Sequence, residues 1–359
     1  MIKSKLLQYL ALALFSTSVV AETTLVGAEG VPNRGNRAQA IEYFTEVARE
    51  LSGDELKFDI HWGGSLLDVK AVPNGVSRGT VDFGTGIAAY DPKKLIALSI
   101  GDIPYKSSDP WVGARAMYEL MTTNADMQRL LEQENLIYLT GFASGGAQFE
   151  CSGDSKIESV ADIKGKKIRA LATYSKVLSD LGAQLVPVTQ PENYRALDIG
   201  LVDCSVSYLY TIRALKTYEV IDHVTLSNWG QISGYALLMN KDVWDGLTEQ
   251  QRQALKQAGA ESIDYFGKLQ IDENNLVVEG LASGRFGRQV PVVPMSASER
   301  AVLVDASNKY IQDWIEDVNR LGVDGQAIWH EFLTIVGRLE AEKQQHGYPW
   351  QRQELAEKR

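Results

Sequence analysis

Cysteine is nearly absent from this 359-residue chain: Cys151 and Cys204 stand against four histidines and ten prolines. Two cysteines are too few for a cysteine-rich scaffold, and His61, His223, His330 and His346 lack the short spacings of metal sites. His330-Glu331 begins like a zincin helix, but no second histidine follows where zinc would need it. Ser144 and Ser283 sit in Gly-x-x-Ser-Gly settings, which do not make the Gly-x-Ser-x-Gly elbow of a nucleophilic serine. Gly84-Thr85-Gly86 lacks the third glycine of a dinucleotide loop, and there is no Walker loop. With metal, acyl-transfer and nucleotide signatures all missing, the expectation is a non-enzyme without cofactor or metal.

Long apolar runs are also scarce. The one near the start, Leu6–Phe15, follows Lys3 and Lys5 and precedes the small residues Val19-Val20-Ala21. It is short for a membrane span and reads as the core of a cleaved signal peptide, residues 1–21, which sends the mature chain to the periplasm. No cysteine lies near the cleavage site, which argues against a lipoprotein. The net charge of −10 becomes −12 once Lys3 and Lys5 leave with the signal. A surface this acidic argues against nucleic acid or an anionic membrane as partner. The 45% hydrophobic and 23% charged content is that of a globular protein, and the length suggests about two domains.

What is present is organised around Asp162–Asp203. Lys166–Ala170 is a β-type run with Arg169 near its end. A helix at about Tyr174–Leu181 closes on Gly182, Gln184–Val188 is a second β-type run, and a helix opened by Pro191-Glu192 stops at Gly200. Asp203–Leu209 starts a third strand. This is one half of a doubly wound α/β sheet, whose ligands sit beyond the carboxyl ends of the strands, where Arg169 falls. Elsewhere, strands are expected at Leu25–Ala28, Phe58–His61, Val81–Ile87, Ile137–Phe142 and Tyr235–Met239. Helices are expected at residues 36–51, 93–98, 110–121 and 126–133, and again from Ser296 to about Gln345. After Pro349 the closing Glu357-Lys358-Arg359 is expected to be frayed.

The pieces DIKGKKIR, LGA, VPV, ENYRAL and GLVD, in this order and spacing, resemble the solute-binding proteins of TRAP transporters, the tripartite ATP-independent periplasmic importers. The likeness continues upstream through Ile103-Pro104-Tyr105 and downstream through Tyr218-Glu219-Val220 and Asn240-Lys241-Asp242-Val243-Trp244. It implies a two-domain α/β periplasmic binding fold, with a ligand cleft between the domains and long C-terminal helices packed across both. One domain would comprise residues 22–146 and 235–282, the other residues 147–234 and 283–345, with 346–359 as tail. Hinges are expected at Ala143-Ser144-Gly145-Gly146 and Trp229-Gly230-Gln231. In such a fold the strand around Gln148–Ser152 lies beside Asp203–Leu209, so Cys151 and Cys204 are expected to pair, the alternative being two buried thiols.

The resemblance also assigns Arg169 to the ligand's carboxylate, the alternative on sequence alone being an ion pair with a nearby Asp or Glu. A guanidinium grips a carboxylate through two parallel hydrogen bonds. Many relatives carry a second arginine on the entering strand, where this chain has Phe149, and Ser207 stands where a ligand-touching asparagine is usual. Tyr174, Tyr208, Tyr210, Asn228 and Trp229 are further candidate contacts, as are Glu29 and Asn33 from the loop before the first helix, and Tyr90. Together they suggest a small organic acid with one clamped carboxylate and an apolar or aromatic body. The implied partners are that acid and the importer's integral membrane subunits, with the protein acting as a monomer. A C4-dicarboxylate or sugar-acid receptor, or a subunit feeding a sensor kinase, are the alternatives.

Overall fold

The computed structural model describes residues 22–357. The signal peptide expected at residues 1–21 lies outside them. In chain order the first four strands are β1 (Thr23–Ala28), β2 (Leu56–His61), β3 (Phe83–Ile87) and β4 (Leu136–Phe142). Then come β5 (Gly146–Cys151), β6 (Lys167–Arg169), β7 (Gln184–Leu185) and β8 (Cys204–Ser207). The last three are β9 (His223–Gln231), β10 (Tyr235–Asn240) and β11 (Val292–Pro294).

These strands form two sheets. One has the order β2-β1-β3-β10-β4, the other β11-β9-β5-β8-β6-β7. In the first, β1 pairs in parallel with β2 and β3, while β10 runs antiparallel to β3 and β4. In the second, β6 is parallel to both β7 and β8, and β5 is antiparallel to β8 and β9. Helices cover both sheets, and the fold is the expected two-sheet α/β binding architecture.

Local sequence explains most boundaries. The helix Gly35–Leu51 buries Ala38, Ile41, Phe44 and Ala48 at helical spacing, and Gly53 ends it at a positive φ of 67°. Asp109 and Asn124 cap the helices Pro110–Thr123 and Ala125–Glu132 by accepting from backbone N–H groups. Thr248 and Gln251 make a reciprocal capping box at the start of the 35-residue helix Glu249–Ser283. That helix packs against Gly35–Leu51, Pro110–Thr123 and β4 beside the first sheet, and against Leu209–Ala214 and β11 beside the second. Its path requires Gly259, because a Cβ there would stand 2.2 Å from the Leu139 carbonyl oxygen.

Several expected segments are corrected. The helix expected at residues 93–98 is the shorter Ile96–Ser99, the preceding residues being turns. The strand expected at Gln184–Val188 stops at Leu185, two residues before Pro187. The strand expected to reach Leu209 ends at Ser207, and the helix Leu209–Ala214 begins there, with the Thr211 hydroxyl turned back to the Tyr208 carbonyl. The second crossing between sheets is residues 232–234, because Trp229-Gly230-Gln231 finish β9. Of the closing residues expected to fray, Lys358 and Arg359 lie outside the described ones; ahead of them Pro349–Glu357 is helical, Tyr348 stacks on Trp350, and the Tyr348 hydroxyl donates to Asp109 Oδ2 at 2.7 Å.

Cys151 and Cys204 face each other across β5 and β8 and form a disulfide that encloses a sequence separation of 53. In the chain-entropy account a loop of this size stabilises the fold by about 4 kcal/mol. The closed segment contains β6, β7 and Arg169. Denatured, unreduced protein should therefore show no titratable thiol, and the Cys151→Ser/Cys204→Ser double variant should lose about 2–5 kcal/mol in urea unfolding. Two thiols in the untreated protein, or an unchanged urea midpoint, would contradict this.

Candidate functional site

β6 is three residues long and places Arg169 at its carboxyl end, between β7 and β8. The side chain is 1% exposed. Its Nε donates to the Val188 carbonyl at 3.1 Å and its Nη1 to the Val206 carbonyl at 3.0 Å. Nη2 is buried without a hydrogen-bond partner. Among the described residues Arg169 makes no ion pair, so two backbone oxygens orient the charge without neutralising it. A buried charged donor left this way costs more than the roughly 1–3 kcal/mol of an unmade neutral bond.

Glu150, whose carboxyl feels the Arg169 charge, is occupied elsewhere. Asn193 Nδ2 donates to its Oε1 at 2.6 Å and Thr217 Oγ1 to its Oε2 at 2.8 Å. Burial pushes the Glu150 carboxyl up, against the opposing pull of these donors and of the Arg169 charge.

In front of this layer lies a cleft of about 900 Å³, its open mouth included, walled by both sheets. Val31, Ile87, Phe142, Ile232, Tyr235 and Phe266 come from elements of the first sheet, the crossings and the long helix. Leu171, Gln190, Tyr208 and Tyr210 face them from the second. The lining is mainly apolar and aromatic, with polar tips from the tyrosines and from Arg34 and Arg37. Leu171 follows Arg169 by two residues, and Gln190 and Tyr208 each stand two residues beyond a carbonyl that accepts from it, Val188 and Val206. Burial holds the Tyr210 phenol up at about 12, with the charges of Arg37 and Arg169 working against that rise.

The sequence-derived candidates separate into three groups. Tyr90, Tyr208 and Tyr210 line the cleft. Arg169, Tyr174, Ser207, Asn228, Trp229 and Glu29 are not among the residues that line it, and all but Asn228 are buried. Tyr174 packs edge-on against Trp229 at 4.8 Å, and the Trp229 indole N–H donates to Ser307 Oγ at 3.3 Å. Ser207 Oγ lies 2.8 Å from Thr211 Oγ1 and accepts from Gln190 Nε2 at 3.3 Å, and Asn228 Oδ1 accepts from Gln148 Nε2 at 2.8 Å. Asn33 stands apart: it is exposed and donates to Glu42. Phe149, at the place of the usual second arginine, is buried and stacked on Trp229.

Arg37, Tyr235 and Phe142 were missed. A weak signal existed for Arg37, which lies in the first turn of a helix that follows a polar loop, where N–H groups face a cleft. Nothing local marks Tyr235 or Phe142, because their exposure to the cleft depends on how the two sheets meet.

The two crossings are tied to each other. Ser144 N–H donates to the Ile232 carbonyl and Ile232 N–H to Ser144 Oγ, both at 2.9 Å. Asp102, 1% exposed, accepts from Gly234 N–H at 2.8 Å with Oδ1, while its Oδ2 has no partner.

An apolar, tyrosine-lined cleft between two α/β sheets, with an orphaned guanidinium nitrogen behind one wall, is the architecture of a small-molecule receptor. The chain belongs to the bacterial extracellular solute-binding proteins, family 7 (DctP), whose family model matches residues 28–317. It is 28% identical over 244 residues to the C4-dicarboxylate-binding periplasmic protein DctP of Rhodobacter capsulatus, covering 66% of this chain and 71% of that one. It is 23% identical over 314 residues to the 2,3-diketo-L-gulonate-binding periplasmic protein YiaO of Escherichia coli, covering 86% and 92%. The fold matches that of a TRAP solute-binding protein from Rhodoferax ferrireducens T118 in complex with copurified benzoate. The TM-score is 0.76 at 20% identity, covering 88% of this chain and 98% of that one. No helix among the described residues is long and apolar enough to cross a membrane.

Asp102 provides a check on the crossing. Burial raises its carboxyl from 3.8 to about 7, and backbone N–H groups pull the other way. The folded protein thus holds a proton that the unfolded chain releases near pH 4. Asp102 should favour folding below pH 4, with that contribution lost as pH rises from about 4 to about 7, by an amount on the order of 4 kcal/mol. Asp102→Asn should flatten this loss in urea titrations at a series of pH values. An equal slope in both proteins would refute the assignment.

Proposed function

We propose that this protein is a periplasmic receptor that captures a small organic acid and hands it to the membrane subunits of a TRAP-type importer. The observation that carries the reading is Arg169. Two carbonyls occupy Nε and one hydrogen of Nη1, which leaves the outer edge of the guanidinium for a carboxylate to accept end-on from Nη1 and Nη2. Inside a closed cleft a charge-assisted contact of this kind contributes about 1.5–3 kcal/mol. The apolar and aromatic wall favours an acid with an apolar or aromatic body, contacted by Tyr90, Tyr208 and Tyr210. Ser207, Tyr174, Asn228 and Trp229 then act from behind, by positioning the wall. Glu29 is taken up by Arg37, and Asn33 lies at the rim.

Capture works by closure of two bodies, residues 22–146 with 235–282 and residues 147–234 with 283–345. Within the span 283–345 the helix Gly325–His346 is the exception, because it packs on Pro110–Thr123 and so moves with the first body. Gly145, at a positive φ of 72°, sits in the first crossing, where glycine absorbs backbone rotation most freely. The protein acts as a monomer, and the closed pair of bodies forms the surface that the membrane subunits recognise.

Small-angle scattering should show a smaller radius of gyration when a bound acid saturates the protein. No contraction with binding confirmed would rule closure out. Arg169→Ala should weaken that acid by at least tenfold in calorimetric titration, since about 1.4 kcal/mol is a factor of ten. The melting temperature of the ligand-free protein should change little. Arg169→Lys should recover part of the loss, because a point charge cannot reproduce the fork. A variant that melts several degrees lower yet binds normally would make Arg169 structural.

A further inference from the structure

The cleft carries a second guanidinium that the carboxylate clamp does not use. Arg37 lies in the first turn of Gly35–Leu51, on the wall contributed by the first sheet, with its side chain 11% exposed. Its Nη2 donates to the Pro32 carbonyl at 3.2 Å. Its Nε lies 3.3 Å from Glu29 Oε2, an ion pair without an aligned hydrogen bond. Glu29 is itself buried at 1% exposure and accepts from Val31 N–H at 2.9 Å and from the Tyr235 hydroxyl at 3.3 Å. A fixed, buried carboxylate therefore already matches the Arg37 charge, whereas among the described residues Arg169 has no ion-pair partner. Arg34, the other cation lining the cleft, is exposed at the mouth, where water and salt screen it.

We infer, resting on the reading that Arg169 clamps the ligand's carboxylate, that the Glu29–Arg37 pair is a specificity determinant: it admits a neutral polar group at the ligand's other end and rejects a second carboxylate. A hydroxyl or oxo group accepts from the guanidinium without adding charge. A second carboxylate would stand beside the buried carboxylate of Glu29, two anions sharing one cation in a cavity where water screens little. Specificity of this kind comes from the repulsive element as much as from the attractive one. The preferred ligand class is then a monocarboxylate with an apolar body and a neutral polar tail.

Calorimetric titration of the mature protein with 4-hydroxyphenylacetate and 4-carboxyphenylacetate reads this directly, because the probes differ in the charge of the far group. The wild type should bind the hydroxy acid at least tenfold more tightly. Glu29→Gln removes the anion and keeps the shape, so the ratio should fall by at least tenfold. Arg37→Gln leaves Glu29 uncompensated and should raise it. Equal binding of the two acids by the wild type overturns the inference, as does an unchanged ratio in a Glu29→Gln protein that melts like the wild type. If Glu29→Gln does not fold, Arg37→Gln decides, and an unchanged ratio there overturns it. The clamp reading fails separately: Arg169→Ala would then bind the hydroxy acid with wild-type affinity. Failure of the wild type to bind either acid rejects the proposed ligand class.

Discussion

A fully buried guanidinium with an unmet donor is the constraint on which this molecule depends. Arg169 has lost its water and gained two carbonyls, and Nη2 is left over. The neighbouring carboxyl that could have quenched it, Glu150, is held by Asn193 and Thr217, and burial disfavours its charged form. A positive charge thus stays ready behind the cleft wall. The second sheet is built to hold it there: β6 is flanked on both sides, and the disulfide locks β5 to β8, the strand whose Val206 carbonyl supports the guanidinium.

On the proposed closure, the scaffold around that charge has to be rigid within each sheet and adjustable between them. The crossings meet this need through few, specific polar contacts. Ser144 and Ile232 bond to each other, Asp102 holds Gly234, Gln231 donates to the Tyr105 hydroxyl at 2.9 Å, and Gln270 Nε2 donates to the Ala143 carbonyl at 3.1 Å. Ala143, Ser144 and Ile232 also line the cleft, so the ligand wall and the connection between the sheets share residues.

Much of the fold was legible from local sequence, because periodicity and caps act over a few residues. The β-α-β-α-β unit around Asp162–Asp203, the helix Gly35–Leu51 and the strand Tyr235–Asn240 were all readable in this way. The errors fall where tertiary packing overrides a local signal. Tyr208-Leu209 reads as strand, yet the chain turns into a helix there once the Thr211 hydroxyl bonds back to the Tyr208 carbonyl. The helix Pro349–Glu357 was not foreseen, and just ahead of it Tyr348 donates to Asp109, far away in the chain.

The sequence by itself determined a β-α-β-α-β unit with Arg169 at a strand's carboxyl end, because spacing and hydrophobic pattern are properties of neighbouring residues. The receptor class and the two-domain α/β architecture were what the resemblance of its motifs implied. Only the tertiary structure decided which side chains share the cleft. Arg37, Phe142, Tyr235 and Phe266 lie far apart in the chain, and they line one cavity because both sheets and the long helix converge on it. It also decided that Glu29 is the partner of Arg37 and not a free acceptor, because burial forces a carboxylate and a guanidinium to pair when they meet away from water.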